Sequence, residues 1–228
     1  MVWGKEMDQL FQSTSLGPLT LKNRIVRSAT NEHLSEPDGQ VTRAWADALI
    51  ELAAHEVGLV ISGHFCVDAS QRADEGQPVL DEKTDREILR CAADGVHQYG
   101  SKVLIQLSHS GIKAMERVNG AAAKHPEDFS LSELDRLVER FVYAAECCKV
   151  CGFDGVQIHT AHGYLLSNFL NPSENRRTDA YGGSLENRFR LIARILSAVR
   201  AACGDDFAAL AKADCNGCGD FPALLKLY

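Results

Sequence analysis

The stretch "GVQIHTAHGYLLSNFLNP", residues 155–172, decides how the chain is read. Val156 and Ile158 have the alternation of a buried strand, and the strand ends in His159 and His162, followed by Gly163 and Tyr164. Two imidazoles and a phenol at the mouth of an apolar strand admit two readings. They are core residues with satisfied hydrogen bonds, or they line a pocket where charge develops during a reaction.

Outward from that strand, β and α patterns alternate. Ser130 and Glu133 stand in capping-box spacing ahead of Leu134, Leu137, Val138, Phe141, Val142 and Ala145, a helical period that Gly152 closes. Residues 153–159 are then the fourth of five expected strands; the others are 24–29, 58–63, 101–108 and 207–212. Thr42 caps a helix carrying Trp45, Leu49, Leu52 and Ala53 that stops near Gly58, another helix covers 84–98, and Ser184 caps one running to about residue 202. Gly182-Gly183 supplies the turn before Ser184.

This α/β pattern fits a doubly wound sheet or a (β/α)₈ TIM barrel. No Gly-rich phosphate loop follows the first strand, which disfavours the dinucleotide fold. Barrel chemistry sits at the carboxyl ends of strands, and polar residues gather there: Thr30, Gly63 with His64, Gln106 with His109, His159 with His162 and Tyr164, and Lys212. A barrel is expected.

Bulk properties narrow the function. The chain has 228 residues, 45% hydrophobic and 24% charged, with a net charge of -7. That balance argues against nucleic acid or an anionic membrane as partner. No run reaches the roughly 20 apolar residues of a membrane span, and the opening "MVWGKEMDQLFQSTSLG" lacks the apolar core of a signal peptide. A cytoplasmic location is expected, with the eight cysteines reduced. Cys148-x-x-Cys151 and Cys215-x-x-Cys218 lie too far apart for a compact metal motif, and no metal site is expected.

The site residues carry their own chemistry. His159 and His162 suit a metal pair only with a third ligand, and no carboxylate stands nearby in the motif. As neutral imidazoles, two N–H groups can hold one carbonyl oxygen and stabilise it as an enolate. The Tyr164 phenol keeps a proton to give at neutral pH. Gln106 offers an amide to the edge of a pyrimidine-like ring, and Lys212 in a pocket would offset the charge of a reduced cofactor. Plain strand-end polarity is the alternative for Thr30 and Gln106, and surface ion pairing for Arg176 and Arg177.

Residues 158–188, "IHTAHGYLLSNFLNPSENRRTDAYGGSLENR", closely resemble the signature loop of the Old Yellow Enzyme family of NADH:flavin oxidoreductases. "LGPLTLKNRIVRSAT" (16–30) and "IQLSHSG" (105–111) agree with the family's first and third strands, so the resemblance covers nearly the whole chain to about residue 214. It implies an FMN-binding barrel in which Ser28, Ala29 and Thr30 lie beside the flavin, Gly63 gives a backbone approach and Gln106 faces the pyrimidine edge. It also implies that Lys212 meets the reduced-state charge, that His159 and His162 hold the substrate carbonyl, and that Tyr164 donates the proton. The implied reaction is ping-pong: NADH or NADPH reduces FMN, which then reduces an enone, an α,β-unsaturated carbonyl compound.

Five strands fall short of eight, which need about 250 residues. The expectation is a partial barrel over 1–214 with a divergent tail over 215–228. Open strand edges also raise the alternative of a non-catalytic fragment that joins another chain or forms a homo-oligomer.

Overall fold

The computed structural model describes residues 9–228. A five-stranded parallel sheet curls into part of a barrel: β3 (Val26–Arg27), β4 (Leu59–Cys66), β5 (Lys102–Ser108), β6 (Gly155–His159) and β7 (Ala208–Lys212). Strand order follows chain order without reversal, so no topological switch point exists among the described residues, and their sheet is not doubly wound. Helices α1 (Arg43–Ala54), α2 (Arg86–His97), α3 (Leu131–Val150) and α5 (Leu185–Cys203) cover the outside, and the short α4 (Leu165–Leu170) follows β6.

Capping chemistry sets the helix starts. Thr42 accepts from the Trp45 N–H, Ser130 and Glu133 form a reciprocal capping box, and Ser184 accepts from the Asn187 N–H. One helix end differs from expectation. α1 stops at Ala54, and Glu56 takes a left-handed φ of 66°. Gly58 serves the strand entry instead, since a Cβ there would lie 2.4 Å from Asn23 Oδ1.

Alternation along the strands divides the interior in two. Val60, Phe65, Val103, Ile105, Leu107, Val156 and Ile158 face the helices in the main core, where Trp45 meets Phe65 edge-on at 5.2 Å. Leu59, Ile61, Leu104 and Ala208 face the barrel interior. Leu19 and Leu21 pack among them from a hairpin of β1 (Thr14–Leu16) and β2 (Leu19–Leu21) that the sequence reading overlooked. Each such buried side chain contributes about 1.5–3 kcal/mol.

Two strands depart most from their expected bounds. The first is only Val26–Arg27, because Arg27 spends its guanidinium on the Ile61 and Thr30 carbonyls and on Glu32, 2.8 Å away, as the chain turns off the sheet. β4 runs past Gly63 to Cys66 through a bulge between Ile61 and His64. Among the described residues β3 and β7 each have one unpaired edge.

The 215–228 segment packs on the body. Cys218 and Leu224 are buried, Phe189 meets Tyr228 at 5.0 Å, and the Tyr228 hydroxyl pairs with Thr160.

Candidate active site

The carboxyl ends of the strands converge on a concavity of about 160 Å³ lined by Ala29, Asn31, His64, Gln106, His159, His162, Tyr164 and Lys212. Strand register builds it: His64 pairs with Gln106, Gln106 with Gln157, and His159 with Lys212. An apolar layer of Ile61, Leu104 and Ala208 lies beneath.

His159 is buried and its Nδ1 faces the Ala161 N–H at 3.4 Å, which assigns its proton to Nε2. Burial holds it neutral, lowering its pKa to about 2, with the nearby His64, His162 and Lys212 adding to the effect. Its ring lies 5.2 Å from His162 and 4.8 Å from Tyr164. Burial raises the Tyr164 pKa, so the phenol keeps its proton through neutral pH.

His162 is exposed and held by its backbone. Its φ of 63° is left-handed, its N–H donates to Asp214 at 2.6 Å, and its carbonyl accepts from Lys113 at 2.6 Å. The Lys113 ammonium also lies 5.0 Å from the Tyr164 ring centre.

Gln106 donates its amide N–H to Gln157 at 2.6 Å, leaving its carbonyl oxygen for a donor in the cavity. Lys212 lies 3.5 Å from the Ser28 hydroxyl and forms no ion pair among the described residues. An amide acceptor, an unpaired cation and an aromatic wall match the pyrimidine edge, anionic reduced state and flat faces of an isoalloxazine. The residues present fit the ring of FMN.

Two of the expected residues have partners within the protein. Thr30 turns its hydroxyl back to the Ser28 carbonyl and lies outside the lining, where Ala29 and Asn31 stand instead. The Gly63 N–H is taken by both carboxylate oxygens of Glu32 at 3.0 Å, and a Cβ there would meet Glu32 at 2.5 Å. Ser28, Ala29, Gln106, His159, His162, Tyr164 and Lys212 are brought together. His64, Asn31 and Gln157 were given no role by the sequence reading, although His64 stood at a strand end.

Among the described residues no helix is long and apolar enough to cross a membrane, and no group of three or more His, Cys, Asp or Glu side chains is placed to hold a metal ion.

Comparison with known proteins bears on the family and the fold. A NADH oxidase of Thermoanaerobacter brockii is 31% identical over 212 residues, 87% of this chain and 33% of that protein. A NADPH dehydrogenase of Bacillus licheniformis is 35% identical over 202 residues, 84% of this chain and 60% of the relative. The chain thus spans less than two thirds of the length of these curated relatives. Among solved structures, an old yellow enzyme homologue from Zymomonas mobilis superposes with a TM-score of 0.82 at 27% identity, covering 90% of this chain and 63% of that one. Morphinone reductase in complex with tetrahydroNAD gives the same values. The sequence model of the NADH:flavin oxidoreductase / NADH oxidase family matches residues 9–212, and the chain belongs to that family.

Proposed function

We propose that the chain carries the catalytic half of an FMN-dependent NAD(P)H oxidoreductase of Old Yellow Enzyme type that reduces enones. The observation that carries this reading is the meeting of His159, His162 and Tyr164 in one concavity with Gln106 and Lys212. Bound FMN would take hydride from NADH or NADPH and supply it to the β-carbon of the acceptor. Gln106 and Lys212, with Ser28 and Ala29 beside them, would hold the ring, and Lys212 would balance its reduced-state charge.

The protein's own groups do the rest. The N–H donors of His159 and His162 hold the acceptor's carbonyl oxygen and strengthen their bonds as it becomes an enolate. Because burial keeps His159 uncharged, it stabilises that oxygen without transferring a proton to it. Tyr164, protonated at neutral pH, gives its proton to the α-carbon. Eight cysteines without disulfides suit a reducing, cytoplasmic setting.

The test separates the two half-reactions. Replacing Tyr164→Phe should leave nicotinamide-driven flavin reduction unchanged and slow enone reduction by about 10²–10⁴-fold. Unchanged enone turnover would remove Tyr164 from the scheme.

The open edges of β3 and β7, with Val26 45% exposed, support a second reading. In it the chain is a non-catalytic fragment that pairs with another chain through those edges. A colourless, oligomeric product would favour that reading.

A further inference from the structure

The bulge in β4 gives the cavity a residue beyond the expected set. Regular alternation from the inward-facing Ile61 would turn Gly63 inward and His64 toward the helices. The ladder instead pairs Ile61 with Leu104 and then His64 with Gln106, which inserts one residue and reverses the parity. Phe65 therefore joins the helix-side core, and His64 reaches the cavity beside Gln106 and His159.

A chain of contacts assigns the proton on His64. The Ala73 N–H donates to Gln77 Oε1 at 2.6 Å, and the Ser110 hydroxyl donates to the same oxygen at 3.2 Å. Gln77 Nε2 is then the donor end, and it lies 3.0 Å from His64 Nδ1. The Ser108 hydroxyl also lies 3.0 Å from Nδ1 and can donate to it, whereas a hydrogen on Nδ1 would face the Gln77 amide donor; the neutral ring therefore carries its hydrogen on Nε2. Burial keeps the ring neutral by lowering its pKa to about 4. His64 is 7% exposed, its ring lies 4.8 Å from Tyr164 and 5.8 Å from His159, and Nε2 has no hydrogen-bond partner among the described residues.

One carbonyl oxygen satisfies His159 and His162. A third desolvated N–H in the same small space is left unmatched by a simple enone, and that mismatch weakens binding. Resting on the oxidoreductase reading above, we infer that His64 is a specificity-determining donor whose Nε2–H selects acceptors carrying a second oxygen, such as enediones and cyclic imides.

The test compares binding of cyclohexane-1,4-dione and cyclohexanone, which lack the reducible double bond, by calorimetry on the purified protein. The dione should bind wild type about tenfold more tightly, the ratio expected for one matched buried donor. H64F should erase the preference, and H64Q, which keeps an N–H donor, should retain part of it. Equal binding of the two ketones to wild type, or a preference surviving in H64F, would overturn the inference alone. Failure of both to bind wild type would overturn the carbonyl-pocket reading and this inference with it. Ring-¹⁵N spectra of wild type give an independent check that needs no variant. A hydrogen on Nε2 of His64 is expected, and one on Nδ1 would overturn the assignment.

Discussion

The two rims of the sheet use the same residue type for opposite ends. At the amino-terminal rim, Asp154 accepts from His97 Nε2 at 2.8 Å, Lys102 Nζ at 2.7 Å and the Val103 N–H at 2.9 Å. Burial alone would raise its pKa, but these donors overcome that and lower it. At the carboxyl rim, His64 and His159 are buried with no carboxylate in an ion pair among the described residues, and both are held neutral. A histidine with a spent ring N–H fastens structure, whereas one whose ring N–H faces a cavity waits for a ligand.

Substitutions on the two rims should separate these roles. After the Tyr164 change, the largest effect is expected from His159→Ala, which removes one donor from the carbonyl and should lower enone turnover by about 10²–10³-fold. Thermal unfolding should move less than for a change at Asp154. Asp154→Ala strands the His97 ring N–H, the Lys102 ammonium and a backbone N–H, and denaturant titration should show a loss of about 2 kcal/mol with ketone binding unchanged. The Asp154 contribution is present above the unfolded carboxyl value of about 3.9 and is lost as pH falls through its lower folded value. Wild type and variant should therefore converge in strongly acidic solution. The smallest effect is expected from Asp214→Asn, which weakens the hold on the His162 backbone and should raise KM for the enone about threefold with kcat little changed.

Much of this arrangement could be read from residues alone, for identifiable reasons. Strands β5 to β7 announce themselves as short apolar runs, and Thr42, Ser130 with Glu133, and Ser184 mark helix starts through local hydrogen bonding. The hairpin at Thr14–Leu21 escaped notice because three-residue strands carry too little periodicity. His159, His162 and Tyr164 were legible because they follow one strand within six residues. His64 was not assigned a role because a bulge reverses the face it occupies, and its proton is fixed by Gln77, 13 residues away. The Gly63 N–H donates to Glu32, a partner 31 residues away that local sequence does not announce. Local sequence conveys which residues lie at a strand end, while the register between strands decides which of them face inward.

The central claim is that this rim holds a flavin ring. The most direct measurement is the absorption spectrum between about 350 and 500 nm of the protein after incubation with FMN and removal of free ligand, a range in which isoalloxazine absorbs. The account predicts a yellow protein retaining about one flavin per chain, with bands shifted from those of free FMN. A colourless protein, or one whose retained bands match free FMN, would contradict it.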